Sequence, residues 1–170
     1  NSPLLGSDRL VVHLVDPHRA GLGRVWRPDN DARLWMNSLA ADVTLFTDHS
    51  VACEGPIVDG PSLVEWAHSV DEVTLAEYAA EPLATEIRHL RGDSFPTRRV
   101  QSAYLAWFFD RVLDAAPDNV DVVIHRTRVV DLIDGPSGHQ CAVLADGTRV
   151  AADSVVLALG HLDTQVTGDA

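Results

Sequence analysis

At 170 residues and 18.4 kDa, with 46% apolar and 22% charged residues, the chain has the composition of a folded globular domain with a sizeable core, which excludes a disulfide-framework miniprotein, a fibrous repeat and wholesale disorder. Thirteen basic against 25 acidic residues give a net charge of -12, which opposes general nucleic-acid binding and docking on an anionic membrane. All the basic residues are arginine, so within these residues neither a lysine Schiff base nor a phosphate-binding Walker lysine can be built.

Leu10-Val-Val-His-Leu-Val15 is a nearly continuous apolar run that Asp16-Pro17 ends. Such a run predicts a strand covered on both faces, as in a parallel sheet. From about residue 17 periodicity is lost, and Gly21, Gly23, Pro28, Gly55, Pro56, Gly60 and Pro61 mark a long excursion, a kind of segment that often carries function. Ser62 with Glu65 fits a capping box and predicts a short helix over 62–70. A weaker helical stretch spans about Thr74 to Leu90 with a break at Pro82. Thr97 caps a stronger helix, in which Val100, Tyr104, Trp107, Phe108 and Val112 recur at helical spacing until Ala115-Ala116-Pro117.

Strands follow at Val120 to His125, Arg128 to Leu132, Gln140 to Leu144, Thr148 to Val150 and Ser154 to Leu159, with Asp134-Gly135 and Asp146-Gly147 as tight turns. The expected plan is two buried strands, one at each end, around a helix and an antiparallel meander. Composition marks no domain boundary, and there is no internal repeat. No apolar run approaches the ~18 residues of a membrane helix, and the first residues do not form a secretory signal, so a cytoplasmic protein is expected. Cys53 and Cys141 lie far apart with no metal-ligand spacing and read as two free thiols, Cys53 an inert one since no base neighbours it.

Asp16, at the carboxyl end of a buried early strand, stands where dinucleotide-binding folds place the carboxylate that accepts the ribose hydroxyls; otherwise it is a turn-starting Asp before Pro. Gly21-Leu22-Gly23-Arg24 follows, where glycines admit a ligand to the backbone and the arginine meets a phosphate or carboxylate, unless it is a plain loop with an exposed Arg. Asp153 to Gly160 is the third agreement, a strand ending in Ala-x-Gly that can pack closely on a cofactor. The histidines at 13, 49, 68, 89, 125, 139 and 161 form no ligand motif and read as solvated or core-satisfied, with no metal site. No Gly-x-Ser-x-Gly elbow supports a hydrolase. Of Trp26, Trp35, Trp66 and Trp107, the last two fall on amphipathic helical faces and read as core, and Trp26, in the Gly-rich excursion beside Arg24, is the one candidate for stacking on a flavin.

Val12-His-Leu-Val-Asp16-Pro-His, Gly23-Arg-Val-Trp-Arg27, Met36-Asn37, Val43 to Asp48, Pro96-Thr-Arg98 with Tyr104-Leu105, and Ala145-Asp-Gly147 leading into Val155 to His161 resemble, in that order, two-dinucleotide flavoproteins with a glutathione-reductase-like FAD domain, and more narrowly the bacterial FAD/NAD(P)-binding proteins. The resemblance covers nearly the whole chain. It implies an α/β, Rossmann-type FAD-binding domain with a parallel sheet plus an antiparallel β-meander, incomplete at its N-terminus. The whole of 1–170 would be one partial FAD/NAD(P)-binding domain with a loop and helical excursion at about 17–96. By position, Asp16 would hold the adenosine ribose of FAD, Gly23 and Arg24 would border the flavin side, Arg98 would brace FAD, the backbone at Val129 would meet adenine, and Gly160 would sit beside the cofactor.

The family's glycine-rich pyrophosphate turn belongs about 20 residues before the ribose carboxylate. Asn1 to Ser7 contains a single glycine, so a fragment of a longer chain is expected. The expected function is the FAD-binding portion of an NAD(P)H-linked flavin oxidoreductase, of a monooxygenase-like kind, acting on a small molecule, with FAD and NAD(P)H as cofactors and no nucleic-acid or membrane partner. The alternative is a noncatalytic module that keeps the fold for a nucleotide or protein partner.

Overall fold

A computed structural model describes residues 9–47, 50–52, 54–135 and 138–160, arranged as a mixed α/β structure with one parallel and one antiparallel sheet. The stretch Asn1 to Ser7, Asp48, His49, Cys53 and His161, all weighed in the sequence, lie outside the described residues. The chain folds as two compact units, one through Arg126 and one from Thr127.

In the first unit, strand β1 (Leu10–Val15) pairs in parallel with β2 (Val120–His125), from Leu10 opposite Val120 to Val15 opposite His125. A parallel pair needs a long crossover, and here about a hundred residues of loop and helix supply it. β2 therefore belongs with β1 and not with the meander, where its place in the sequence of strands would put it. The expected cover on both faces of β1 is absent among the described residues: Leu10, Val11, Val123 and Ile124 are exposed, because β1 and β2 form a two-stranded sheet whose apolar faces are incompletely packed.

The crossover carries the core. A single 3-10 turn at Ala40–Asp42 precedes α1 (Leu63–Ser69), α2 (Glu72–Tyr78), α3 (Leu83–Arg88) and the 17-residue α4 (Arg98–Asp114). α1 starts where the sequence indicates: the Ser62 hydroxyl accepts the Glu65 amide while the Glu65 carboxylate accepts the Ser62 amide. Asp71 caps α2 by accepting the Val73 and Thr74 amides, and Thr97 caps α4 through the Val100 amide. Leu63, Trp66, Leu75, Ile87, Val100 and Tyr104 are buried together, with Trp107 packed against them. Trp66 and Trp107 are thus core residues, as their helical spacing indicates. No helix among the described residues is long and apolar enough to cross a membrane.

The second unit is an antiparallel meander of β3 (Val129–Asp134), β4 (Gln140–Leu144) and β5 (Arg149–Ala152). The Asp146-Gly147 turn joins β4 to β5: Gly147 has φ +87°, its amide donates to Leu144, and the Asp146 carboxylate accepts the Thr148 amide. The strand expected over Ser154 to Leu159 does not form. Val156, Leu157 and Leu159 are 88, 66 and 61% exposed, and the segment has no neighbouring strand among the described residues. An apolar run becomes a strand only where a second backbone completes its hydrogen bonds.

Candidate functional site at the carboxyl end of the parallel strands

In a parallel α/β sheet, ligands bind beyond the carboxyl ends of the strands. Asp16 occupies that edge. Its amide donates to the His125 carbonyl at 3.1 Å and extends the β1–β2 ladder by one rung, so its position is set by both strands. One carboxylate oxygen, Oδ1, accepts the His18 amide at 2.7 Å in an Asx turn. This bond fixes the rotamer and leaves Oδ2 facing Gly23, where a β-carbon would lie 3.8 Å away.

The chain then coils through a turn over residues 20–25, in which the Leu22 and Gly23 amides both donate to the Arg19 carbonyl, at 3.1 and 3.2 Å. Gly21 and Gly23 have φ of +83° and +59°, a region that side chains rarely tolerate. Gly21 is also sterically required: a β-carbon there would stand 2.6 Å from Cβ of Phe109 on α4.

Two further expected residues meet each other. The Arg98 guanidinium, on the first residue of α4, lies 5.9 Å from the centroid of the Trp26 ring, within cation–π range. The Arg98 amide donates to the Leu34 carbonyl at 2.8 Å, while the amide and hydroxyl of Thr97 both donate to Glu86, at 3.1 Å each. The start of α4 is thus anchored from two sides. Arg24 follows directly on Gly23 in the same turn. The structure therefore brings together Asp16 with Gly23 and Trp26 with Arg98. Val129 and Gly160 lie in the second unit, the former exposed on β3 and the latter exposed with φ +58°.

Sequence reasoning missed the charge network behind the turn. Arg19 pairs with Asp110 at 3.2 Å, and Asp110 also bonds the Tyr78 hydroxyl. Burial, together with the Asp110 charge, pushes the Tyr78 phenol up to about 12. These contacts, like that of Phe109 with Gly21, join residues dozens of positions apart and leave no local pattern. Three of the histidines have ordinary partners: His68 the Leu90 carbonyl, His89 the Thr85 carbonyl and His139 the Asp153 carboxylate, each at 2.8 Å. Among the described residues no three histidine, cysteine or acidic side chains gather as metal ligands.

The donor set at the strand ends matches a dinucleotide better than a metal. A carboxylate with one oxygen committed to the His18 amide and the other beside a glycine can accept hydroxyl hydrogen bonds, whereas a single carboxylate is a poor metal centre. A family model described as FAD-NAD(P)-binding matches residues 3–162. The chain is 44% identical over 167 residues to an L-aspartate N-monooxygenase (nitrosuccinate-forming) of Streptomyces cremeus, covering 94% of this chain and 25% of that protein. It is 43% identical over 155 residues to nitrosuccinic acid synthase npaA of Aspergillus oryzae, covering 91 and 21%, and 40% identical over 164 residues to an L-aspartate N-monooxygenase of Streptomyces davaonensis, covering 92 and 25%. The chain spans a quarter or less of the length of these curated relatives.

Proposed function

The chain belongs to the FAD-NAD(P)-binding family, and from that premise we propose that its glutathione-reductase-like domain holds the adenosine half of FAD in an NAD(P)H-linked oxidoreductase. The observation that carries this reading is the Asp16 carboxylate at the end of β1, with Oδ2 beside Gly23 and Oδ1 locked by the His18 amide. In this reading the units on either side of Arg126 make up one partial domain with an excursion at about 17–96. Asp16 accepts the ribose hydroxyls, Gly23 and Arg24 line the approach to the flavin, and Trp26 with Arg98 braces it. Val129 offers its backbone to adenine, and Gly160 lets the chain pass close to the cofactor.

The chemistry of electron transfer would be supplied by the bound flavin. The chain's own residues bind and orient. Asp16 sets the register of the adenosine, and Arg98 brings positive charge to the site while Trp26 limits where its guanidinium can go. No residue is assigned as general acid or base. For the full-length protein we extend the proposal to the chemistry named for the relatives, N-oxygenation of a small amino acid with L-aspartate the first candidate, in a cytoplasmic setting.

The test is the visible spectrum of the full-length protein with and without Asp16→Ala. Flavin absorbance in the parent that bleaches with NAD(P)H, and loss of flavin from the variant, is the expected result. A folded, colourless parent that FAD cannot reconstitute would refute the reading, and a variant with unchanged flavin content would remove Asp16 from it. L-Aspartate-dependent NAD(P)H consumption, with the N-oxygenated product detected by mass spectrometry, tests the substrate.

A further inference from the structure

Thr97 opens α4, yet the helix cannot complete its own cap. In a capping box the residue three positions after the cap is a glutamate or glutamine whose side chain returns to the cap's backbone amide, as Glu65 does for Ser62. In α4 that position is Val100, and the first turn holds no acidic residue. Glu86 on α3, eleven residues upstream, takes the place of the missing group. Its Oε1 accepts the Thr97 amide and its Oε2 accepts the Thr97 hydroxyl, each at 3.1 Å, while that hydroxyl accepts the Val100 amide at 3.4 Å. Thr97 is only 5% exposed, so water replaces this partner poorly if the carboxylate is removed.

The first turn of α4 breaks a second local rule. Arg98 and Arg99 directly follow the cap, where the positive end of the helix dipole disfavours cations. Helix stability therefore does not account for their place, and local rules yield in this way chiefly where function needs a side chain. Glu86 brings a carboxylate to the same helix end and offsets part of that cost.

Arg98 is the covalent neighbour of the residue that Glu86 holds. Its amide donates to the Leu34 carbonyl at 2.8 Å, and Trp35 pairs with Thr97 in an antiparallel bridge beside the Met36 amide, which donates to the Pro96 carbonyl at 2.8 Å. The backbone over 96–98 is thus fixed by residues 34–36 through main-chain bonds and by Glu86 through a side chain. The contact that depends on this placement has little slack: the Arg98 guanidinium is 5.9 Å from the Trp26 ring centroid, and cation–π contacts reach only to about 6 Å.

We propose that Glu86 is a positioning residue for Arg98: by gripping both polar groups of Thr97 it sets where α4 begins, and so keeps the Arg98 guanidinium against Trp26 and in the place from which it braces FAD. The last step rests on the dinucleotide reading above; the hold on Trp26 does not.

The first readout needs no ligand. In the full-length apoprotein carrying nitrogen-labelled arginine, the Arg98 Nε–H signal, identified by its absence from Arg98→Gln, should be displaced by the Trp26 ring and should move in Trp26→Leu. Glu86→Ala should move it in the same way, because the guanidinium leaves the ring. Glu86→Gln, which keeps the length and offers Thr97 one acceptor and one donor, should leave it in place. A signal that Glu86→Ala leaves unchanged, or that Glu86→Gln moves as Trp26→Leu does, overturns the proposal. If Glu86→Ala does not fold, Glu86→Asp, whose carboxylate stops one methylene short, takes its place with the same outcomes.

The second readout is FAD binding to the same proteins by quenching of flavin fluorescence. Glu86→Ala should weaken it by about threefold to tenfold, the worth of one hydrogen bond, and should have no further effect when Arg98→Gln is already present. A loss of equal size without Arg98 overturns the proposal, since a general loss of structure does not depend on the arginine. If the parent itself binds no FAD, the dinucleotide reading fails separately and the arginine signal alone decides the role of Glu86.

Discussion

Phe109, eleven residues into α4, closes on Gly21 so tightly that a β-carbon on the glycine would approach its Cβ to 2.6 Å. Helix and turn are thus in close contact five residues after Asp16. Gly21 also has φ +83°, so a side chain there meets both a clash and a strained backbone. Gly21→Ala is expected to destabilise by about 1–3 kcal/mol and lower the thermal midpoint. Because the nearest atom is the Phe109 Cβ, which alanine keeps, and the backbone strain stays, Phe109→Ala should not restore the thermal midpoint that Gly21→Ala loses, and a double variant with the parent's midpoint would deny the contact its role.

Tyr104 ties the excursion to α4. Its fully buried hydroxyl donates to the Pro61 carbonyl at 2.5 Å and accepts the Leu45 amide at 3.3 Å. Tyr104→Phe keeps the ring stacked on Trp107 but leaves both backbone groups without this partner. Denaturant unfolding should show a loss of about 1–3 kcal/mol with an unchanged slope.

Arg98 and Trp26 should behave as a coupled pair. At 5.9 Å and half-buried, the cation–π contact is worth about 0.5–1 kcal/mol in a double-mutant cycle of Arg98→Gln and Trp26→Leu. Under the proposed function Arg98→Gln also weakens flavin retention more than Trp26→Leu does, because only the arginine carries charge. Equal retention in the two single variants would show that the charge is not used.

The helix caps make stability fall in acid. Glu65 is held below the usual carboxylate range by hydrogen bonds from the Ser62 amide and hydroxyl, Asp71 by those from Thr74, and Glu72 and Glu81 chiefly by Arg88. Each pKa is depressed in the folded state, so each contribution is complete above the unfolded value and is lost as the pH falls through the folded one. Thermal midpoints should drop below about pH 4.5, and Ser62→Ala should make that acid-dependent drop shallower.

Tyr78 gives the opposite sign at the alkaline end. Its phenol, pushed up to about 12 by burial and by Asp110, keeps its proton in the folded state after an unfolded tyrosine has lost one. The stability it contributes is whole below about pH 10 and is lost between about 10 and 12. Spectrophotometric titration should show one phenolate forming late, and Asp110→Asn should bring that step down.

The helix starts at Ser62 and Thr97, the strand ending at Asp16 and the turn at Asp146-Gly147 are legible in the sequence because their determining contacts span about four residues or fewer, whereas α2 begins at Glu72 behind its Asp71 cap, ahead of the Thr74 that the sequence suggests. Asp16 was recognisable as a candidate for the same reason: a carboxylate that directly follows an apolar strand is a local pattern. Tertiary structure alone decided that β2 runs parallel beside β1, that Phe109 lies on Gly21, that Arg98 reaches Trp26 and that His13 meets His125. Each of those contacts joins positions far apart in the chain, 112 residues in the case of the two histidines, and no local preference specifies such a partner. The apolar run from Ser154 shows the same limit in reverse. Its composition is that of a strand, but a strand is a property of two backbones, and the described structure pairs it with none.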